Sequence, residues 1–353
     1  MSERVEWVSD ERRLAELAPA WDELAGAGDP FMTHAWLSNW RDAFAPAGSA
    51  RVCLVWRGRQ LVGGLPLVQT PEGLRAMVNE QTPSFRPLGL DAAAMTALIG
   101  AGLTASGGVM ALPMLPRDHP LVAHRQPAWR SLCSPHTTSP IIDCDGTFAD
   151  WRELTRPRWR TPIERLARKM RREHDAQVRL VEAPEDLATT VEAFLALEAA
   201  GWKGREGTAI ASSPATASFY RGVAEAFAAR GELRSSSITL DGQLVAFAFC
   251  LLHDHRLWQL KIAFDEGHRG LAPGLVLHVE AVQRCYELGL RAYELLGDRS
   301  DWKDKFATSQ REYVTWTGYA RGLRPTGLYV ARQAARAARR ARRATTGWRT
   351  RRY

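Results

Sequence analysis

Apolar positions along the chain follow two rhythms, one of short dense runs and one of helical spacing. Arg51–Trp56, a turn at Arg57-Gly58-Arg59 and Gln60–Leu67 predict a β-hairpin. The arrangement returns at Leu233–Leu240, a turn at Asp241-Gly242, and Gln243–Phe249; Asp-Gly between apolar runs is a good hairpin signal. In both, the second strand starts with Gln-Leu-Val, and both hairpins stand upstream of a further strand and an apolar helix. Two copies of one α/β unit is the economical account. In the second copy, Leu257–Asp265 reads as a buried strand. Leu275, Val279, Val282 and Tyr286 share one face of a helix over Leu275–Leu288, Gly289 stands where a C-cap belongs, and Arg291–Gly297 resumes as a strand.

Elsewhere the helical period recurs. Ala92–Thr104 predicts a helix of small residues, followed by a buried strand over Val109–Leu112. No charge occurs from Ala92 to Pro116, a length that could span a bilayer, but Gly100, Gly102, Gly107, Gly108 and Pro113 leave few large apolar side chains to drive insertion. A soluble protein is therefore expected. Pro162–Glu173 places Ile163, Leu166 and Met170 on one helical face, with Arg165, Arg168, Lys169, Arg171 and Arg172 elsewhere. Those cations form either a solvated face joining two domains or a basic wall that attracts an anionic ligand. Glu185–Ala200 follows as another amphipathic helix.

Composition refines this picture at three points. The net charge of +8 belongs to the tail, because residues 321–353 hold eleven arginines and no acid, which leaves 36 basic against 39 acidic groups, about −3, in residues 1–320. From Thr326 onward the tail predicts an Ala/Arg helix, whose charge alone allows attraction to an anionic membrane surface or to tRNA, or simply solvation. The five cysteines show no CxxC spacing, and the chain starts without an apolar signal core, so a cytoplasmic location is expected, with the tail allowing peripheral contact at the inner face of the membrane. Only five of the 47 basic residues are lysines, Lys169, Lys203, Lys261, Lys303 and Lys305. A compact or titratable amine is something guanidinium cannot supply, and this draws attention to Lys203 and Lys303, each preceded by a tryptophan.

Between the strand ending at Asp265 and the helix starting at Leu275 runs His268-Arg269-Gly270-Leu271-Ala272-Pro273-Gly274. Gly270 and Gly274 permit close backbone approach, and the free N–H groups of the helix opening suit a pyrophosphate. For the loop alone, a tight strand-to-helix turn without a ligand is the simpler account. The corresponding stretch of the first copy, Pro83-Ser84-Phe85-Arg86-Pro87-Leu88-Gly89, has prolines where donors would be wanted, which assigns the chemistry to the second copy.

Taken together, these blocks resemble the GNAT superfamily of acyltransferases, whose cofactor loop follows Arg/Gln-x-x-Gly-x-Gly/Ala. Arg269-Gly270-Leu271-Ala272-Pro273-Gly274 is similar, with Ala272 in place of the middle glycine and Pro273 removing one N–H. More specifically, the chain resembles acetyltransferases of the CelD/BcsL type, tandem-GNAT proteins related to the Fem-type aminoacyltransferases. The matching pieces are Pro30–Leu37, Arg160–Arg172, Leu197-Glu198 before Gly201-Trp202-Lys203-Gly204, Gly207-Thr208-Ala209, Ala272-Pro273-Gly274, and Tyr293–Asp298 leading to Trp302-Lys303. The resemblance covers about residues 5–320. It implies a mixed α/β fold of two tandem GNAT-like domains, the first degenerate (1–145), the second an acyltransferase domain (146–325), with a basic helical tail (326–353).

The resemblance also implies acetyl-CoA or another acyl-CoA as co-substrate and direct attack of an amine on its thioester. A diphosphate would lie on Arg269, Gly270, Ala272 and Gly274, and the oxyanion would meet backbone N–H groups between Ile262 and Phe264. Asp298 and Glu198 are the carboxylates for binding or deprotonating the amine, Lys303 would hold a phosphate or polarise the carbonyl, and Trp202 and Lys203 would line the acceptor side. Each acid has a plainer account, Glu198 as a helix-surface residue and Asp298 as a turn former. Tyr286 and Tyr293 suit core packing better than thiolate protonation. His253-Asp254-His255 fits a hairpin turn, no third ligand has motif spacing, and no metal is expected. Three functions remain: an N-acyltransferase for a small amine such as an amino sugar or polysaccharide precursor, an aminoacyl-tRNA-dependent transferase of Fem type, or a non-catalytic scaffold of a polysaccharide-synthesis complex.

Overall fold

Strand-forming runs and capped helices assemble into two sheets in the computed structural model, which describes residues 3–349. The strands are β1 (Glu3–Val8), β2 (Ala50–Arg57), β3 (Gln60–Thr70), β4 (Gly73–Ala76), β5 (Leu88–Gly89), β6 (Val109–Pro116), β7 (Trp129–Asp143), β8 (Ala176–Glu182), β9 (Leu233–Leu240), β10 (Gln243–His253), β11 (Arg256–Phe264), β12 (Ala292–Glu294) and β13 (Ser309–Ala320). The helices are α1 (Glu11–Glu16), α2 (Ala18–Ala25), α3 (His34–Phe44), α4 (Ala92–Ala105), α5 (Pro120–Ala123), α6 (Phe148–Leu154), α7 (Pro157–Glu173), α8 (Leu187–Ala200), α9 (Trp202–Arg205), α10 (Pro214–Ala229), α11 (Pro273–Glu287) and α12 (Leu323–Arg349).

Local chemistry accounts for the element ends. Thr33, Asp91, Asp186 and Ser213 each accept a hydrogen bond from an N–H of the first helical turn of α3, α4, α8 and α10, and Thr147 with Asp150 forms a reciprocal cap on α6. Both expected hairpins are present. The β9–β10 turn holds Asp241 and Gly242 at φ 50° and 81°, the left-handed pair that matches strand twist. The His-Asp-His run is the β10–β11 turn, with Asp254 and His255 also at positive φ. Among the described residues no cluster of His, Cys, Asp or Glu has metal-binding geometry, and no helix is long and apolar enough to cross a membrane.

The first sheet runs β1-β2-β3-β4, with β5 on β3, and the second runs β6-β13-β7-β12-β11-β10-β9-β8. Every pairing is antiparallel except β11 with β12. Sheet membership does not follow the sequence boundary at residue 145, because β6 and β7 precede it and yet belong to the second sheet, where β7 lies between β13 and β12. One apolar core fills the seam between the halves. In it Phe31 meets Trp36 and Trp258 edge-on at 4.8 and 5.4 Å, and Trp36 meets Phe219 at 5.0 Å. A second core lies under α7 and α11 on the other face of the large sheet.

The expected strand over Arg291–Gly297 is shorter in the structure. Only Ala292–Glu294 is paired, because Leu296 and Gly297 adopt φ values of 48° and 61° and turn the chain aside. Burial of Ile163, Ala167 and Met170 holds α7 against α11, while Arg171 reaches Glu280 of α11 at 2.5 Å.

Candidate functional site

Parallel strands β11 and β12 pair only at Arg256–Ala292, Leu257–Tyr293 and Trp258–Glu294. Beyond Trp258 they part, for two local reasons. On β11 the register against β10 jumps from Cys250–Gln259 to Phe249–Lys261, so Leu260 is a bulge that bends the strand. On the other side, the Leu295 N–H donates to the Pro140 carbonyl of β7 and the chain then turns at Leu296. The parting opens a cleft of about 750 Å³. Gln259–Ile262 form one wall and Leu295–Asp298 with Trp302 and Lys303 the other. His136 and Thr137 come from β7, and Val78–Pro83 with Pro113 and Met114 close the cleft from the N-terminal side.

Polar groups in the cleft are held by short-range bonds. Asp298 accepts a hydrogen bond from the Thr137 hydroxyl. The Lys303 ammonium donates to the Leu296 carbonyl and, at 3.2 Å, to that of Asp298, so two of its three protons cap the turn and one remains for a ligand. Burial holds its pKa below the usual lysine value, against the opposing pull of Asp298 and Asp304. Behind it stands His278 of α11, 1% exposed, with no hydrogen-bond partner for either ring nitrogen among the described residues. Burial, reinforced by the Lys303 charge, pushes its pKa down to about 3, so the ring is neutral. Across the cleft the Tyr220 hydroxyl donates to Gln81 Oε1 at 3.0 Å, and the Lys261 ammonium sits 5.5 Å from the Tyr220 ring centroid. Burial raises the Tyr220 pKa, and the nearby carboxylates of Glu198 and Glu80 add to the shift.

The loop at the opening of α11 is built differently from the starts of α3, α4, α8 and α10. Its N-cap, Ala272, is left-handed at φ 48°, makes no side-chain cap, and precedes Pro273 at the first helical position. The first-turn amides therefore lack the side-chain acceptor that caps α3, α4, α8 and α10. Arg269 is exposed and forms no ion pair among the described residues. A Cβ on Gly270 would meet nothing within 4 Å, whereas one on Gly274 would stand 3.2 Å from Phe264. Gly274 thus serves close packing of α11 on β11, and Gly270 faces open space. These features fit a diphosphate, with Pro273 withholding one donor. The basic helix α7 packs beside the 266–271 turn, close to this loop.

The expected site residues fall into three groups. Ile262, Asp298 and Lys303 share the cleft. Arg269, Gly270, Ala272, Gly274 and Phe264 gather around the α11 opening, outside the residues that line the cleft. Glu198 is buried rather than on a helix surface, with its Oε2 accepting the Ile210 N–H at 2.7 Å. Trp202 is 48% exposed and is tied to the loop by its N–H to Glu266 Oε1 at 2.8 Å. Lys203 lies on α9, and its side chain is outside the described residues. Tyr286 and Tyr293 are structural, donating to the Asp143 carbonyl at 3.0 Å and to Gln259 Oε1 at 2.5 Å. Sequence reasoning missed Gln259, Tyr220, Gln81 and Thr137; Lys261 was singled out only as a rare lysine.

Residues 157–304 match a family model described as an acetyltransferase (GNAT) domain. The matched segment runs from α7 past β12 to the turn that holds Lys303. The cleft and the α11 opening both draw on it, while β7 and Val78–Pro83 lie outside the matched GNAT segment. No curated protein matches the chain in sequence. Among solved structures, the crystal structure of FemX is similar at 12% identity, covering 94% of this chain and 99% of that one with a TM-score of 0.58. L-PGS from Bacillus licheniformis is similar at 13% identity, covering 92% and 96%, with a TM-score of 0.54. At these identities the likeness is one of fold, and it extends over both halves.

Proposed function

We propose that the protein is an N-acyltransferase that moves an acyl group, acetyl as the expected case, from acyl-CoA to an amine in the cleft between β11 and β12. The observation that carries this is the parting of the two parallel strands within a GNAT domain, beside an uncapped helix opening. An amine nitrogen attacks the thioester carbonyl, the C–N bond forms, the C–S bond breaks, and the amine proton leaves with the thiol. In this scheme main-chain N–H groups from Ile262 to Phe264, just past the Leu260 bulge, face the developing oxyanion. Lys303 offers its remaining proton to the carbonyl or a phosphate. Asp298, already oriented by Thr137, holds the amine or takes its proton. Glu198 lies too deep to touch the acceptor and acts as a positioning residue through the Ile210 and Tyr220 side of the wall. An amino sugar or polysaccharide precursor is the acceptor class that the CelD/BcsL-type resemblance suggests. Calorimetry with acetyl-CoA tests the reading: saturable binding lost in Arg269→Ala supports it, and absence of binding to the folded protein sinks it.

A second reading has its own support. Ala272 and Pro273 depart from the glycine-rich cradle, and the likeness to FemX spans both halves. Transfer from an aminoacyl-tRNA donor would then replace acyl-CoA. Salt-sensitive tRNA binding without acetyl-CoA binding would favour it.

A further inference from the structure

The C-terminal helix α12 is anchored along one side only. Pro325 packs on Gly108, where an added Cβ would stand 2.7 Å from the proline ring. Tyr329 meets Tyr319 edge-on at 5.4 Å and lies under the Arg130 guanidinium at 5.5 Å, and Arg336 donates to the Cys133 carbonyl. These contacts fix the orientation of the helix root on β13 and β7. They leave another face bare. Leu323, Val330, Ala334 and Ala337 fall at i, i+7, i+11 and i+14, which is one stripe of an α-helix, and all four are exposed, Leu323 at 97% and Val330 at 57%. The sequence continues this spacing at Ala341 and Trp348.

Arg324 stands about 100° round the helix from Leu323 and Arg332 about 180°, and there is no acid after Glu312 in the sequence to pair with them. Arg324 and Arg332 are exposed and form no ion pair among the described residues. A helix with an apolar stripe, a cationic remainder and no internal neutralisation has the pattern of an interfacial helix. We infer that α12 docks the protein on an anionic phospholipid surface, its Leu323–Val330 stripe entering the headgroup boundary and its arginines meeting lipid phosphates. Charge complementarity selects an anionic occupant, and the stripe selects lipid over RNA. A nucleic acid would engage the arginines and leave Leu323 and Val330 in water.

The test is flotation of the full-length protein with vesicles of phosphatidylcholine alone or mixed with phosphatidylglycerol. The protein should float only with the mixed vesicles, and high salt should weaken the association. Leu323→Gln with Val330→Gln should weaken it roughly tenfold or more, because apolar burial is lost, at unchanged charge, at two positions far from the docked side. Arg324→Gln with Arg332→Gln should weaken it as well. Circular dichroism checks that the variants keep their fold. Failure to bind mixed vesicles would overturn the inference. So would binding indifferent to the two glutamines, which would mean charge alone, or tRNA binding in the absence of vesicle binding.

Discussion

Gly270→Ala separates a ligand role for the α11 loop from a structural one. Gly270 is not among the glycines with positive φ, and a methyl group there touches nothing within 4 Å. Replacing glycine at a compatible position removes freedom from the unfolded chain and should stabilise the fold by about 0.4–1 kcal/mol. If a diphosphate lies against the amides of this turn, the same methyl group occupies the approach of its oxygens. Losing one hydrogen bond to a charged group costs about 1.5–3 kcal/mol, a weakening of roughly ten- to a hundredfold in Kd for acetyl-CoA. Gly274→Ala is the control, because its Cβ would press on Phe264 at 3.2 Å and test packing of α11 on β11 instead. Thermal denaturation and calorimetry are measured on both variants. The reasoning fails if Gly270→Ala binds acetyl-CoA as tightly as the parent, or if it loses stability in step with affinity.

Further outcomes follow from the same geometry. Lys303→Met should keep the fold, since an apolar chain suits a half-buried position, while acyl transfer falls by about a hundredfold or more if the ammonium meets the developing charge; an unchanged rate would make Lys303 a turn cap only. His278 has a folded pKa of about 3 against a usual 6.5, so the unfolded chain takes up its proton first. Stability should therefore decline as pH falls below 6.5, by up to about 1.4 kcal/mol per pH unit towards pH 3. Urea titrations at several pH values should show His278→Phe with a flatter acid limb than the parent. Glu294, 1% exposed, is paired with Arg256 at 2.8 Å and Arg311 at 3.0 Å, and Glu294→Ala should cost about 3–5 kcal/mol by stranding two arginines. A fragment starting at residue 146 lacks β7 from the middle of the large sheet and should fold only when residues 1–145 are supplied; a cooperative melt of the fragment alone would contradict that.

Short-range patterns carried most of the fold. Asp241-Gly242 sets its hairpin because both residues accept positive φ, and of the expected α11 face Val279 and Val282 are buried while Leu275 and Tyr286 are half-buried. The α11 opening and Lys303 stood out in the sequence for the same reason, since each is marked by unusual local chemistry. The cleft was not. Its shape depends on a bulge at Leu260 that only pairing with β10 reveals, and on Leu296 taking a left-handed φ with no glycine to announce it. Thr137 meets Asp298 and Gln81 meets Tyr220 across long separations in sequence, and ordinary polar residues carry no mark of such a partner. Glu198 was open to two accounts, a reactive carboxylate or a helix-surface residue, and the second fails because it is buried on α8 with the Ile210 N–H donating to it.

The division of labour between the halves follows from the sheet order. Two parallel strands that part leave an opening with only two walls, and the proposed acyl transfer needs the remaining sides closed against water. Strand β7 supplies His136 and Thr137 while pairing with β12 and β13, so the residue that orients Asp298 is also part of the sheet that fixes Asp298 in space. Val78–Pro83 closes another side, and its Gln81 is bonded to Tyr220 of α10. The loop keeps its own shape through hydrogen bonds from the Gln81 N–H and the Thr82 hydroxyl to Asn79 Oδ1, at 3.0 and 3.2 Å. The N-terminal half therefore needs no phosphate loop of its own to matter to the chemistry. It presents a preformed polar wall, held against the 157–304 segment by the Phe31–Trp258 contact and the rest of the seam core, across the cleft from Lys303.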